Sequence, residues 1–158
     1  MIRPATLDDR DAVWAILEPI LRAGETYALP RDWSRDQLLE FWFAPDHEVF
    51  VADESGVVGT YFLCANHLGG GAHVANCGYA TGTAAQGRGV ARAMCEHSLG
   101  HANARDFRAI QFNFVIASNT RAVALWQRMG FSIVGTLPGA FEHPTRGFVD
   151  AYVMFRDL

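Results

Sequence analysis

A glycine-rich connection between a predicted strand and a predicted helix runs Thr81-Gly82-Thr83-Ala84-Ala85-Gln86-Gly87-Arg88-Gly89-Val90-Ala91. Gly87 and Gly89 permit backbone conformations and close approaches that side chains would forbid. The start of the helix offers unpaired N–H groups and the positive end of the helix dipole. Arg88 adds a formal positive charge at the same point. These features predict an anion site, suited to a diphosphate, along residues 86–91.

Patterns on both sides of this connection predict a mixed sheet with helices on its faces. Upstream we expect a strand at 2–3, helices at 7–17 and 34–43, and strands at 48–52, 57–65 and 73–81. Downstream we expect a helix at 88–104, a strand at 109–116, a helix at 120–129 capped by Asn119, and strands at 131–136 and 148–155. Pro19 should weaken the end of the first helix, and residues 69–71 should form a flexible turn. The order βααβββαβαββ indicates the α/β (α+β) class.

Length, charge and cysteine content narrow the type of protein. The 158 residues suit one domain spanning 1–158, and the net charge of −4 argues against nucleic-acid binding and against attraction to anionic lipid. No apolar run is long enough to cross a membrane, and the start of the sequence lacks a signal peptide pattern. Three cysteines without a CxxC pair favour reduced thiols, so a cytoplasmic location is expected.

The glycine pattern taken alone leaves alternatives open. It fits a truncated dinucleotide fingerprint or an ordinary helix start as well as a diphosphate site. The dinucleotide interpretation is disfavoured because that motif usually follows the first strand of a βαβ unit. The run Gly69-Gly70-Gly71 is no P-loop, since no Gly-Lys-Ser/Thr follows it.

Two motifs together carry a resemblance to a known family. Gln86-x-x-Gly89-x-Ala91 resembles the R/Q-x-x-G-x-G/A signature of the GNAT superfamily of acetyltransferases. About 30 residues later, the segment Asn119-x-x-Ala122-x-x-Leu125-Trp126-x-x-Met129-Gly130-Phe131 is similar to the second signature of that superfamily. The predicted element order agrees with the GNAT fold along the whole chain.

The resemblance implies a site for acetyl-CoA as acyl donor. Its diphosphate would be held by the backbone of Gln86, Gly87, Arg88, Gly89, Val90 and Ala91, and its pantetheine and thiol end would meet Asn119, Ala122 and Trp126. A purely structural role competes at several of these positions. Asn119 is a helix N-cap in any interpretation, and Ala122 fits a helix core.

A closer likeness covers residues 111–155 and concerns the acceptor side. These segments resemble the branch that contains the fungal acetyltransferase of proline analogues such as azetidine-2-carboxylate. In that branch asparagines on two adjacent strands and at the next helix start serve the active site, and Asn76, Asn113 and Asn119 occupy matching positions. Bacterial members of unknown substrate share the segments, so the substrate is not implied. Tyr27 lies in the loop that covers the acceptor site in relatives, and relatives are frequently dimers.

The sequence departs from the common GNAT pattern in two places. Trp126 stands where many relatives carry a tyrosine, which acts as the acid for the leaving thiolate. An indole N–H donates a hydrogen bond but does not give up its proton usefully. No glutamate occurs in the strand at 73–81, where relatives often place a general base. We therefore expect a water held by Asn76 and Asn113 to relay the proton, or His73 to take it directly, while the backbone at residues 76–78 receives the acyl carbonyl.

The sequence thus predicts an acetyl-CoA-dependent N-acetyltransferase that acts by direct attack on a small, amino-acid-like amine. The alternatives are a protein N-terminal or lysine acetyltransferase, and a non-catalytic acyl-CoA sensor. Cys77 has no adjacent base to make it a nucleophile. His97 and His101 lie at helical spacing without a third ligand, so no metal site is expected.

Overall fold

The computed structural model describes residues 1–158 and confirms the predicted order of elements. The strands are β1 (Ile2–Pro4), β2 (Glu48–Asp53), β3 (Val57–Ala65), β4 (Val74–Thr81), β5 (Ala109–Ile116), β6 (Ser132–His143) and β7 (Gly147–Asp157). The helices are α1 (Arg10–Ala23), α2 (Arg35–Trp42), α3 (Val90–Ala104) and α4 (Thr120–Arg128). None of the four helices combines the length and the apolar character needed to cross a membrane.

One seven-stranded sheet runs in the order β1-β2-β3-β4-β5-β7-β6. Every neighbouring pair is antiparallel except β4 and β5, which are parallel. That parallel pair has only two registered positions, Val74 with Ala109 and Ala75 with Ile110. Beyond them the two strands separate toward their carboxyl ends, and the sheet opens at its centre.

Each face of the sheet carries its own apolar core. On one face α1 and α2 bury a cluster with β3 that includes Val13, Leu39, Trp42 and Phe62. On the other face α3 and α4 cover a larger cluster. Residues of both cores therefore line the opening between β4 and β5.

The first helix is longer than the sequence predicted. It runs through Pro19 to Ala23, where Gly24 adopts a left-handed conformation with a φ of 65°. Pro19 is exposed and costs the helix one backbone hydrogen bond. Burial of Leu21 beyond it stabilises a helix that continues past the proline. The glycine therefore ends this helix and the proline does not.

The last two strands are also longer than predicted. β6 continues through Pro138 and Gly139 to His143, although this dipeptide is typical of a turn. The pairing with β7 shifts between Leu137 and Phe141, and Gly139 donates its N–H to Asp150 Oδ1 at 2.9 Å. A bulge thus accommodates the proline within a long hairpin.

A partly buried charge cluster fixes the N-terminal segment. Arg3 donates from Nη1 and Nη2 to the Asp9 carboxylate at 2.8 and 2.9 Å, and also to Asp53 at 2.9 Å. Asp9 accepts a further bond from the Thr6 N–H at 2.7 Å. The hydrogen bonds from Arg3 hold the pKa of Asp9 well below its usual range. The ionised carboxylate therefore stabilises the folded state.

Asp9→Asn is expected to lower the free energy of unfolding by about 2 kcal/mol at pH 7, because it removes the carboxylate that accepts charge-assisted hydrogen bonds from Arg3, while Arg3 keeps its pair with Asp53. The pKa of Asp9 is lower in the folded than in the unfolded chain, so its contribution is complete above about pH 4, the unfolded value, and is lost as pH falls below it. Urea unfolding from pH 7 to pH 3 measures this, with Asp8→Asn as control because Asp8 is exposed and makes no ion pair. A loss of equal size in both variants, or one independent of pH, would contradict the assignment.

Candidate functional site

A cavity of about 770 Å³ occupies the opening between β4 and β5. One end is lined by the turn before α3 and by α4, and the other by the segment after α1 and by β3. Thirty-one residues from both faces of the sheet contribute to it. Its size is typical of sites that enclose a small organic ligand.

The backbone of β4 presents free hydrogen-bonding groups to this cavity. The Asn66 N–H donates to Val74 O and the Gly82 N–H donates to Val58 O, so the even-numbered residues of β4 bond toward β3. Cys77 and Tyr79 therefore direct their N–H and C=O groups toward β5, beyond the last registered pair of the two strands. The Tyr79 carbonyl accepts a hydrogen bond from the Tyr27 hydroxyl. The N–H groups remain for a ligand.

Asn76 spans the fork where the two strands separate. Its Nδ2 donates to Gln111 O at 2.9 Å, which replaces the bond that β4 would otherwise make to β5. Its Oδ1 makes no hydrogen bond within the protein, and the residue lines the cavity. Asn76 thus has a structural contact on one side and a free acceptor on the other.

Asn113 lies across the opening and belongs to a chain of amides. Its Oδ1 accepts from Gln111 Nε2 at 2.9 Å, and its Nδ2 donates to Asn66 Oδ1 at 2.6 Å. These bonds fix the Asn113 side chain against the cavity that it lines. One N–H of its amide remains available to a ligand.

The turn before α3 leaves a row of backbone donors without partners. Gly87 and Gly89 have φ angles of 79° and 85°, a conformation that favours glycine. The N–H groups of Gln86 and Arg88 are bonded to the preceding turn. No protein acceptor is found for the N–H groups of Gly87, Gly89, Val90, Ala91 and Arg92. Five unpaired amides at this helix N-terminus lie where the sequence predicts an anion site.

The positive charge beside these amides differs from the expected one. Arg88 pairs with Glu54 at 2.5 Å, and its side chain lies outside the cavity lining. Arg121 lies instead at the turn, with Nη2 3.3 Å from the position that a Cβ at residue 87 would occupy. Arg121 and Arg128 line the cavity without an ion pair. The sequence alone predicted no role for either arginine. Both lie on α4, the helix that carries the second motif, and this position could have indicated a role in the site.

The second motif forms one wall of the cavity. Asn119 caps α4, with its Oδ1 accepting the Ala122 N–H at 3.3 Å, as predicted. Asn119, Ala122 and Trp126 all line the cavity. Trp126 is 9% exposed and its ring packs 5.0 Å from that of Tyr79. The indole therefore serves at least as a packing element between α4 and the sheet.

The remaining predicted residues separate into two groups. Tyr27 lines the cavity, and burial raises the pKa of its phenol well above the usual range, so the hydroxyl stays protonated as a donor. His73 is exposed, precedes β4 and does not line the cavity. The structure therefore brings together Tyr27, Asn76 and Asn113, but it does not bring His73 to them.

An aromatic wall on the far side of the cavity had no sequence signal. Phe41 from α2 and Phe62 from β3 line this end together with Leu29. Phe62 approaches β4 so closely that a Cβ at Gly78 would lie 2.4 Å from its Cε1. These residues come from separate elements, and only the tertiary packing places them side by side.

Comparisons with known proteins agree with this architecture. The acetyltransferase (GNAT) family model matches residues 12–131. A GCN5-related N-acetyltransferase from Kribbella flavida is 41% identical, with a TM-score of 0.95 over 100% of this chain and 97% of that chain. N-acetyltransferase aca1 of Schizosaccharomyces pombe is 24% identical over 84% of this chain and 72% of its own length. A phosphinothricin acetyltransferase from Sinorhizobium meliloti in complex with acetyl-CoA is 20% identical, with a TM-score of 0.87 over 100% of this chain and 88% of that chain, and shares the fold.

The family match covers both sequence motifs and both walls of the cavity. The Kribbella protein extends the likeness to the whole chain. The chain therefore belongs to the acetyltransferase (GNAT) family of N-acetyltransferase enzymes.

Proposed function

We propose that this enzyme transfers the acetyl group of acetyl-CoA to the amine of a small, amino-acid-like molecule by direct attack. The row of five unpartnered amides from Gly87 to Arg92 is the observation that carries the donor assignment. A diphosphate would satisfy these donors and gain from the helix dipole. Arg121 would add a charge-assisted contact. The acetyl-CoA complex of the Sinorhizobium protein, which shares the fold, supports the same donor.

The acyl end of the donor suits the free backbone of β4. The Cys77 and Tyr79 N–H groups point into the opening, where they would bind the thioester carbonyl and stabilise the oxyanion that develops on it. Asn119 and Ala122 lie on the opposite wall, beside the predicted path of the pantetheine arm. Trp126 closes that wall and keeps water from the thioester.

The acceptor end of the cavity favours a compact amine over a protein chain. Tyr27, Phe41 and Phe62 line it with aromatic side chains, while Asn76 and Asn113 supply two oriented amides. Such a pocket binds a small ligand by apolar contact and fixes its orientation with a few polar groups. A lysine or N-terminal segment of a protein would need an open groove in the same place.

The acceptor must lose a proton before it can attack. We propose that a water bound to the free Oδ1 of Asn76 carries this proton away, because no carboxylate lines the cavity and His73 lies outside it. The departing thiolate needs little help, since a thiol of pKa ~8.5 is a good leaving group. Trp126 in place of a tyrosine is therefore compatible with turnover.

Thiol release from acetyl-CoA over a panel of amines tests the proposal. The panel should contain α-amino acids, cyclic imino acids such as azetidine-2-carboxylate, polyamines and short peptides. Amine-dependent release with a free amino acid or its analogue is the expected result. Release with peptides alone would favour protein acetylation, and acetyl-CoA binding without release on any amine would favour an acyl-CoA sensor.

Direct attack predicts that Cys77 is dispensable for the chemistry. Burial raises the pKa of the Cys77 thiol well above its usual range, so a thiolate nucleophile is disfavoured there. Cys77→Ala should keep turnover within about threefold of the original, since the change removes only one buried sulfur. Mass spectrometry after exposure to acetyl-CoA without acceptor should find no acetylated cysteine. An acetyl group on Cys77, lost together with turnover in the variant, would contradict direct transfer.

We also propose that the enzyme forms a homodimer through the β6–β7 hairpin. Val134 and Phe148 are 60% and 74% exposed at opposite ends of this hairpin, and Ile133 and Leu137 are each 38% exposed along β6. β6 is an edge strand of the sheet, and exposed apolar side chains along such an edge favour an interface. Sedimentation analysis should give twice the chain mass, and Phe148→Ser should shift it toward the monomer. Sedimentation as a monomer at every concentration would contradict the dimer proposal.

A further inference from the structure

Three metal-binding side chains meet at the end of β3, outside the cavity lining. One ligand atom each from Asp46, His47 and Cys64 lies within 4.8 Å of the other two. Glu48 pairs with Leu63, so continuing that register by one residue places His47 opposite Cys64 on the neighbouring strand. The His47 N–H donates to Ala44 O at 2.8 Å, and the turn so formed brings Asp46 alongside.

The His47 ring is fixed in an orientation that suits a ligand. Its Nδ1 lies 3.0 Å from Trp42 O, and because a carbonyl only accepts, Nδ1 carries the proton and Nε2 keeps the free lone pair. The ring also stacks on Phe62 at 4.0 Å with an interplanar angle of 6°. Histidines that bind metals typically donate their other N–H to a backbone carbonyl in this way.

We propose that Asp46, His47 and Cys64 bind one thiophilic divalent transition-metal ion, with Zn²⁺ as the best match. A thiol, an imidazole and a carboxylate together favour zinc over the hard cations Mg²⁺ and Ca²⁺, which select all-oxygen sites. Three protein ligands leave the fourth tetrahedral position for water or another small ligand. The three donor types come from one turn and one strand end, so only a small closure of side chains is needed.

The site lies directly behind the acceptor wall of the cavity. Cys64 is the register partner of Asn76, and the Phe62 ring that stacks on His47 lines the cavity. None of the three ligands lines the cavity itself. Metal binding can therefore be measured without donor or acceptor present.

The histidine pair on α3 is not equivalent to this cluster. His97 Nδ1 bonds to the Tyr61 hydroxyl at 2.7 Å, and His101 Nε2 bonds to Glu48 at 2.8 Å. No cysteine lies near this pair, and the pair does not belong to a group of three metal-binding side chains. His101 consequently provides a matched control for His47.

Titration of the chelator-treated full chain with Co²⁺ alone tests the site. Cobalt bound to a thiolate gives a sulfur-to-metal charge-transfer band in the near ultraviolet, and the band should saturate at one ion per chain. Zn²⁺ should abolish it by displacement, since zinc prefers the same ligands. Cys64→Ser should remove the band, and His47→Gln should weaken Co²⁺ binding by more than about tenfold.

His101→Gln and Cys95→Ala should leave the titration unchanged, and circular dichroism checks that every variant is folded. The proposal is overturned if no charge-transfer band forms with excess Co²⁺. It is equally overturned if the band survives in Cys64→Ser, or if His101→Gln weakens binding as much as His47→Gln. These readouts involve no acetyl-CoA, so their failure would leave the proposed transferase function untouched.

Discussion

Gly89→Glu is expected to weaken acetyl-CoA binding by more than about a hundredfold, because a like charge beside the diphosphate costs several kcal/mol. Gly89 lines the cavity, and its N–H is one of the five free donors. No atom lies within 4 Å of a Cβ built at this position, so the fold has room for the side chain. The φ of 85° adds a strain of roughly 1–2 kcal/mol in any residue other than glycine. Isothermal titration with acetyl-CoA measures the loss.

Gly89→Gln is the matched control for this variant. Glutamine has the shape of glutamate and carries the same backbone strain, but it lacks the charge. It should lose clearly less affinity than Gly89→Glu, and the difference should shrink at high salt. Both variants should unfold at similar temperatures without ligand. Unchanged affinity for acetyl-CoA in Gly89→Glu would contradict the assignment of the diphosphate to this turn.

Asn76→Ala is expected to lower kcat/KM for the acceptor by about a hundredfold, the lower range for loss of general acid–base assistance. The variant loses the free Oδ1 that is proposed to bind the proton-relaying water. It also loses the bond from Nδ2 to Gln111 O, which holds the fork between β4 and β5. The amides that are proposed to bind the diphosphate lie elsewhere, so the Kd for acetyl-CoA should change by less than about threefold, below the tenfold that 1.4 kcal/mol represents. Steady-state kinetics together with donor titration separates the two effects.

Asn103→Ala serves as the control, because Asn103 is an exposed asparagine on α3 outside the cavity. Its kinetics should match those of the original enzyme. The proton-relay proposal also predicts that the loss in Asn76→Ala diminishes at high pH, where more acceptor is already neutral. A variant with normal turnover, or one that loses donor binding to the same extent, would contradict the assignment.

The fold was predictable because most elements have a clear local pattern. Ser34 and Gln37 form the predicted capping box of α2, and Asn119 caps α4 as expected. Errors arose where tertiary packing overrides local preference. The burial of Leu21 carries α1 past Pro19, and pairing with β7 carries β6 past Pro138. Neither partner is visible from the nearby sequence.

The candidate site was predictable only where one continuous segment forms it. The turn at residues 86–91 and the start of α4 carry their own motifs, and both line the cavity. The sequence places Arg88 beside these amides, but in the structure Arg121 is the nearby cation. Arg88 instead pairs with Glu54, which lies 34 residues before it in the sequence. The partner of Asn76 at the fork and the placement of Phe62 likewise depend on strand register. Such pairings require the assembled sheet.

The free amides between Gly87 and Arg92 are proposed to bind the diphosphate of acetyl-CoA. A crystal structure of the enzyme grown with excess acetyl-CoA tests this assignment. We expect diphosphate oxygens within about 3 Å of several of these N–H groups, the ordinary N–H···O distance, with the thioester beside Cys77 and Tyr79. A coenzyme bound elsewhere, with these amides turned toward acceptors of the protein itself, would contradict it.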